Sequence, residues 1–261
     1  MITRYAAQLS LALLTALPLF TSAQATNIER EQRWVEQTID SIFDGEPVFL
    51  PADGREFYAI YMDSETPGSK GLIVVHGTGF HPDWEQVVEP VRVTMTQHGW
   101  NTLSIQMPIL EKDAHYEDYI DLYPLVPARF RAAINYLRSN GAEQIAIVAH
   151  SQGATMASYF VANEPDQSTV DALALIGMSA QYRQPQVNSA ESLRRINIPV
   201  LDLYGSKDFA TVLATTDRRA AASTHNKHYT QQIIPNAYHF FDDHEKEMLN
   251  ALNIWLDQYI D

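Results

Sequence analysis

The sequence predicts an α/β fold in which a mostly parallel central sheet of about eight strands carries helices on both faces. Short apolar runs rich in Ile, Val and Leu recur along the chain, as expected for strands that are buried on both sides. Helix-compatible stretches separate these runs, and such an alternation favours parallel strands joined by crossover helices. No repeat, low-complexity tract or linker interrupts the pattern, so a single domain over residues 26–261 is predicted.

The first 25 residues have the pattern of a secretory signal peptide. Arg4 provides a basic start, residues 9–20 an apolar run, and Ala23-Gln24-Ala25 a small-residue cleavage site. The apolar run is short for a membrane span, although an uncleaved anchor is the alternative. We therefore expect a periplasmic or secreted protein whose mature chain begins at Thr26 and does not remain inserted in a membrane.

The full chain has the composition of an ordinary globular protein. Of 261 residues, 46% are hydrophobic and 19% charged, and the net charge is −14. This acidic balance argues against nucleic acid and against anionic membrane surfaces as partners. Because the chain has no cysteine, disulfides, thiolate metal sites and cysteine nucleophiles are excluded.

The elements predicted in the first half begin with an amphipathic helix and a hairpin. Asp83 and Gln86 form a capping-box pattern, which predicts a helix starting near Val87 and closing at His98-Gly99. The other elements predicted up to residue 140 are a helix at 27–43, strands at 47–51, 55–62, 71–76 and 100–106, and a helix at 127–140.

The second half continues the same alternation around one central strand. After that strand, at residues 145–149, the predicted elements are a helix at 154–160, strands at 170–178 and 199–204, a helix at 211–223, a strand at 229–234 and a closing helix at 248–259.

Ser151 follows the central strand and precedes the next helix, in the arrangement of a nucleophile elbow. In such a turn the strand and the helix nearly touch, so the positions two before and two after the serine must be small. Ala149 and Gly153 satisfy this requirement. The alternative is that Ser151 only caps the helix.

An elbow serine needs a base to take its proton and an acid to orient that base. Among nine histidines, His239 lies between the last strand and the last helix, where a loop can bring it over the sheet edge. His150 adjoins the serine, but an elbow turns neighbouring side chains apart, so we reject it as the base.

Asp208 is the predicted acid because it comes just after a strand and therefore lies at the same sheet edge. Asp202 is the weaker candidate, since it falls inside the strand and has no evident partner. The resulting order of serine, aspartate and histidine is the one expected for strand-turn-helix nucleophiles.

The loop at residues 76–79 is the predicted second half of an oxyanion hole. Its two glycines let the backbone approach a substrate, so we expect the N–H of Thr78 to act together with that of Gln152. The loop lacks the downstream Gly-Lys-Ser/Thr of a phosphate loop. His76, His81 and Asp83 could suggest a metal, but they match no known ligand spacing, and no metal or other cofactor is predicted.

These motifs resemble those of the α/β-hydrolase superfamily over essentially the whole mature chain. The residues that carry the resemblance are His76-Gly77-Thr78-Gly79, Ala149-His150-Ser151-Gln152-Gly153, Tyr204-Gly205-Ser206-Lys207-Asp208 and His239. More narrowly, the segments 81–84, 98–100 and 218–222 are similar to a secreted proteobacterial family that is known only as a domain of unknown function, DUF3530. The wider resemblance implies the fold and the triad, and the narrower one implies no substrate.

The function expected from these residues is that of a serine hydrolase, a carboxylesterase acting through an acyl-enzyme on a small ester or acyl substrate. Acyl transfer or peptide hydrolysis with the same triad is an alternative, and so is a catalytically silent protein that binds a cell-envelope partner. Two segments, 108–122 and 181–195, could cover the site. The first is rich in Asp, Glu and Tyr, and is either a substrate-gating cap or a solvated surface loop.

Overall fold

The computed structural model describes residues 26–260, so the predicted signal peptide lies outside the described residues. Within this range, eight strands form one sheet. They are β1 (Glu46–Ala52), β2 (Arg55–Met62), β3 (Lys70–Val75), β4 (Trp100–Ile105), β5 (Gln144–His150), β6 (Ala172–Ile176), β7 (Val200–Gly205) and β8 (Tyr229–Ile234). Their order across the sheet is β1-β2-β4-β3-β5-β6-β7-β8.

Six of the strands are parallel. The strands β1 and β2 form an antiparallel hairpin, and β2 pairs antiparallel with β4. From β4 to β8 every pairing is parallel, with β3 and β5 side by side in the middle of the sheet. The strand β5 is buried from Ile145 to His150, as expected for a strand covered on both faces.

The helices lie on both faces of the sheet. They are α1 (Ile28–Thr38), α2 (Val88–Thr94), α3 (Val126–Ser139), α4 (Gln152–Asn163), α5 (Ser189–Leu193), α6 (Ala210–Leu213), α7 (Thr216–Ala222) and α8 (Glu245–Leu256). One apolar core joins α3, α4 and α5 to the sheet, and a second joins α2 and α8 to the opposite face. The predicted fold class is thus confirmed. None of the helices in residues 26–260 is long and apolar enough to cross a membrane.

The predicted capping box before α2 is wrong. The helix starts at Val88, after Val87 in a left-handed conformation with φ of 66°, and no side chain caps it. Asp83 instead accepts a hydrogen bond from the Arg92 guanidinium at 2.5 Å, and Gln86 donates to Asp242 at 2.7 Å. Asp83 therefore bonds to a side chain within α2 itself, and Gln86 joins the start of the helix to a distant part of the chain.

The predicted helix at 211–223 is two short helices, α6 and α7. Thr215, between them, turns its hydroxyl back to the carbonyl oxygen of Thr211 at 2.9 Å. The Arg219 guanidinium donates to the Val212 carbonyl oxygen, also at 2.9 Å. Because side chains occupy these carbonyl oxygens, the backbone does not continue as one regular helix.

Candidate active site

The predicted site residues meet at the carboxyl edge of the parallel strands. Thr78 follows β3, Ser151 follows β5, Asp208 follows β7 and His239 follows β8. Ligand sites of open α/β sheets lie at this edge, because the loops that leave parallel strands converge there. The fold therefore brings together residues that are far apart in the sequence.

Ser151 occupies a strained turn between β5 and α4. Its φ of 56° and ψ of −120° lie outside the regions that an L-residue normally adopts. Two residues later, a Cβ on Gly153 would lie only 2.4 Å from the carbonyl oxygen of His76. The elbow thus depends on a glycine at this position, and the turn leaves Ser151 partly exposed.

Hydrogen bonds connect Ser151, His239 and Asp208 in a row. The Ser151 Oγ lies 2.9 Å from His239 Nε2, and His239 Nδ1 lies 2.6 Å from Asp208 Oδ1. His239 and Asp208 are buried, at 3% and 5% exposure. Since the carboxylate can only accept, Nδ1 carries the proton and Nε2 is free to accept from the serine hydroxyl. This is the geometry required for proton removal during nucleophilic attack.

Asp202 has a different and structural set of partners. It is fully buried in β7, and its Oδ2 accepts from Arg219 Nε at 2.7 Å, Tyr229 OH at 2.6 Å and Gln231 Nε2 at 3.0 Å. The expectation that Asp202 lacks a partner is wrong, because Arg219 of α7 forms an ion pair with it below the sheet edge. Asp202 makes no contact with His239.

Gly77 brings the loop after β3 against the serine. A Cβ on Gly77 would lie 3.2 Å from the Ser151 Cβ, so the backbone passes directly beside the elbow. Among the described residues, the N–H of the next residue, Thr78, donates to no acceptor. Gln152 is the first residue of α4, where backbone N–H groups also have no intrahelical partner. Gln152 thus adjoins Ser151 in the chain, and Thr78 follows the glycine whose backbone passes beside Ser151.

His76 holds the start of this loop. Its Nδ1 lies 2.7 Å from the Gly77 carbonyl oxygen, and its Nε2 accepts from the Met107 N–H at 2.9 Å. Burial lowers the pKa of His76 to about 3, so the ring is neutral and can keep both bonds. The ring therefore ties the loop to the chain that follows β4.

His150 lies beside the row of hydrogen bonds without joining it. Its Nε2 is 3.0 Å from the backbone carbonyl oxygen of His239, and the two rings lie 4.7 Å apart. Burial, and then the neighbouring His239, lower the pKa of His150 to about 3. A neutral ring that donates to this carbonyl supports the loop carrying His239.

A family model described as a protein of unknown function, DUF3530, matches residues 16–119 and 121–258. The chain belongs to the DUF3530 family. This confirms the narrower of the two resemblances. No curated protein matches the chain.

Solved structures of esterases are similar to this DUF3530 protein. Est1E from Butyrivibrio proteoclasticus with bound ferulic acid gives a TM-score of 0.66 at 18% identity, covering 82% of this chain and 99% of its own. The Pyrococcus furiosus esterase Pf2001 gives a TM-score of 0.68 at 14% identity, covering 85% of this chain and 93% of its own. The esterase domain of a Rhodothermus marinus protein gives a TM-score of 0.63 at 14% identity, covering 83% of this chain and 99% of its own. Similarity at these identities shows the shared α/β-hydrolase fold.

Two glycines that the sequence patterns did not single out make room for His239. A Cβ on Gly177, which follows β6 with φ of 61°, would lie 2.8 Å from the His239 Cε1. A Cβ on Gly205 would lie 2.2 Å from the carbonyl oxygen of Ala237, in the loop that carries the histidine. Gly205 stands within the motif quoted for the acid, but only the packed structure shows what it contacts.

Aromatic rings surround the imidazole of His239. Phe209 stacks on it with ring centroids 4.0 Å apart, and Phe240 approaches edge-on at 5.1 Å. Phe209 is 53% exposed, so its ring stands at the rim of the site. Phe209 and Phe240 directly follow Asp208 and His239 in the sequence, and this adjacency is the sequence signal for their place in the site.

The two segments proposed as covers contact each other. Tyr116 stacks flat on Tyr182 with ring centroids 4.7 Å apart, and its hydroxyl bonds to Thr155 Oγ1 of α4 at 3.0 Å. A 3-10 helix, Tyr116–Leu125, begins within the first segment. Among residues 26–260, no group of three or more His, Asp or Glu side chains could hold a metal ion.

Proposed function

We propose that this DUF3530 protein is a secreted or periplasmic serine hydrolase, a carboxylesterase that acts through an acyl-enzyme. The observation that carries the proposal is the row of hydrogen bonds from Ser151 Oγ through His239 to Asp208 on a strained elbow. Esterases are among the similar solved structures, which is consistent with the proposal. The location rests on the signal-peptide pattern of residues 1–25.

In this mechanism Ser151 Oγ attacks the ester carbonyl carbon while its proton passes to His239 Nε2. Asp208 keeps its bond to Nδ1–H and stabilises the imidazolium. The N–H groups of Thr78 and Gln152 donate to the oxyanion. His239 then returns the proton to the departing alcohol, and a water activated by the same ring releases the acid.

A fluorophosphonate probe tests the nucleophile without any choice of substrate. We expect a single adduct on the folded protein, placed on Ser151 by mass spectrometry, because the base and the oxyanion donors make this hydroxyl far more reactive than any other. Ser151→Ala should abolish labelling and His239→Ala should slow it severely. Ser139→Ala, at an exposed helix end, is the matched control and should label normally.

An unlabelled folded protein, under conditions that label a control hydrolase, would favour the silent binding protein over the enzyme.

For the location, N-terminal sequencing of protein from a periplasmic extract should give a sequence that begins at Thr26. Recovery of the full-length chain from the membrane fraction would instead identify an uncleaved anchor.

A further inference from the structure

We propose that a cleft beside the oxyanion loop binds an aromatic group of the substrate, so that this protein acts on esters carrying a ring close to the scissile carbonyl. The inference rests on the proposed function, because it names the substrate class of the same site. The cleft, called here the aromatic cleft, lies between α1, the loop after β3 and the segment 108–122. Its main walls are Arg30, Trp34, Thr78, Phe80, Trp84 and Tyr119.

The aromatic cleft has the size and position of a substrate subsite. Its volume of about 350 Å³ lies within the range of small-molecule sites. Thr78, a proposed oxyanion donor, forms part of the wall, and Gly77 immediately before it passes against the Ser151 side chain. A group bound in the cleft therefore lies next to the carbonyl that Ser151 would attack.

Aromatic rings connect the cleft to the candidate base in an unbroken series. Phe240 lies against His239, and Phe80 lies 5.9 Å from Phe240. Phe80 in turn stacks on Trp84 at 3.8 Å with nearly parallel planes. Phe80, Trp84 and Phe240 are only partly buried, so ring surface remains available to a ligand. Flat faces arranged in this way favour a planar partner, since stacked and edge-on aromatic pairs add to simple area burial.

The charges in the cleft favour an electron-rich ring over a cationic group. The Arg30 guanidinium donates to the carbonyl oxygens of Gly79, at 2.9 Å, and Leu110. Neither Arg30 nor Lys112, which also lines the cleft, pairs with a carboxylate among the described residues. The remaining charge there, Glu111, already bonds to the Asn27 side chain at 2.5 Å. Cations are attracted to the negative faces of aromatic rings and repel other cations.

The first experiment compares two pairs of esters of similar size by pH-stat hydrolysis. Methyl 3-phenylpropanoate and benzyl acetate place a ring on the acyl and the alcohol side, and methyl heptanoate and hexyl acetate are the unbranched counterparts. We expect kcat/KM to favour the aromatic ester at least about ten-fold in one of the two series, which corresponds to roughly 1.4 kcal/mol. Equal rates within both series would overturn the inference while leaving the hydrolase proposal intact.

Variants of the walls locate the effect. Trp84→Ala should remove most of the aromatic preference, measured as the ratio of kcat/KM between the paired aromatic and unbranched esters. Ala114→Trp, which fills the cleft from another side, should do the same without removing any ring. Phe43→Ala removes a ring that is 94% exposed and lies outside the cleft, so the preference should persist. Retention of the preference in both wall variants would contradict the assignment.

A binding measurement separates this inference from the proposed function. In the Ser151→Ala protein, calorimetric titration should show methyl 3-phenylpropanoate binding at least about ten-fold more tightly than methyl heptanoate, and adding Trp84→Ala should abolish the difference. No turnover is needed, so the result stands even if the protein proves not to be an esterase. Equal affinities for the two ligands would refute the aromatic cleft as a subsite.

Discussion

At the scale of single residues, two buried carboxylates on and just after β7 have different partners. Asp208 Oδ1 lies 2.6 Å from His239 Nδ1, whereas Asp202 bonds to Arg219 and two residues of β8. We expect Asp208→Asn to lower kcat by about ten-thousand-fold with the fold retained, because the imidazole would lose its correct tautomer. Far-UV circular dichroism and ester hydrolysis measure both properties.

Asp202→Asn is the matched control. It leaves the Arg219 guanidinium buried without a counter-charge, and breaking such a pair costs about 3 kcal/mol or more of the free energy of unfolding. Urea denaturation should show this loss, while the folded fraction keeps its turnover. Loss of turnover in a well-folded Asp202→Asn protein, with Asp208→Asn active, would reverse the two assignments.

Gly177 offers a second test at this scale. An added methyl group would lie 2.8 Å from the His239 Cε1, so Gly177→Ala should displace the ring from Ser151 and lower kcat by about a hundred-fold or more. Gly54→Ala is its control, because Gly54 also has a positive φ, of 78°, but nothing lies within 4 Å of the added carbon. Both changes strain the backbone similarly. Equal kcat values for the two variants would show that space at Gly177 does not position the histidine.

The residues of the candidate site differ in how far the sequence could predict them. Ser151, Asp208 and His239 each occupy a position defined by a neighbouring strand, so their meeting at one edge follows from the topology. Gly177 and Phe209 both contact the imidazole of His239, which comes from another part of the chain. Spacing along the chain carries no information about such contacts, which depend on the final packing.

At the scale of the elements, the stacked rings of Tyr116 and Tyr182 join the two segments proposed as covers. Tyr182→Ala should free the 3-10 helix Tyr116–Leu125, because an aromatic pair adds about 0.5–1.5 kcal/mol. Hydrogen exchange in this helix should accelerate by roughly two- to ten-fold, with exchange in β5 unchanged. Unchanged exchange in the helix would mean that its other contacts suffice to hold it.

The strands were predicted more reliably than the helix ends. The strands β2 and β8 have the predicted bounds, and the others differ by a residue or two at their ends, because period and apolar content specify a strand locally. The start of α2 and the break between α6 and α7 depend on side-chain hydrogen bonds that the helical period does not predict. The Arg92 guanidinium donates to the Asp83 carboxylate, and the Arg219 guanidinium donates to the Val212 carbonyl oxygen. A capping pattern does not show that a guanidinium within the following helix will bond to the capping carboxylate instead.

At the scale of the whole molecule, three buried histidines make stability depend on pH. Burial lowers the pKa of His76 and His150 to about 3 and that of His81 to about 4. Between these values and the unfolded pKa of about 6.5, the unfolded chain binds more protons than the folded one. The free energy of unfolding should therefore be fully retained above about pH 6.5 and fall as the pH decreases towards 4.

The loss amounts to about 1.4 kcal/mol per pH unit for each histidine that must stay neutral. Urea denaturation at pH 7, 6 and 5 measures it. In His150→Gln the free energy of unfolding should fall less steeply between pH 6 and 5 than in the unchanged protein. The difference should equal the contribution of one proton, because one titrating ring is gone. Identical slopes in the two proteins would mean that His150 is protonated in the folded state as readily as in the unfolded chain.

The distance along the chain between the serine and its base has a consequence for synthesis. His239 follows Ser151 by 88 residues and reaches it only through the loop after β8. At translation rates of about 5–20 residues per second, roughly 4–18 s pass between the two leaving the ribosome. During that interval the hydroxyl is an ordinary alcohol without a proton acceptor. If Ser151 is the nucleophile, as proposed, a chain that ends before His239 should therefore not be labelled by the probe.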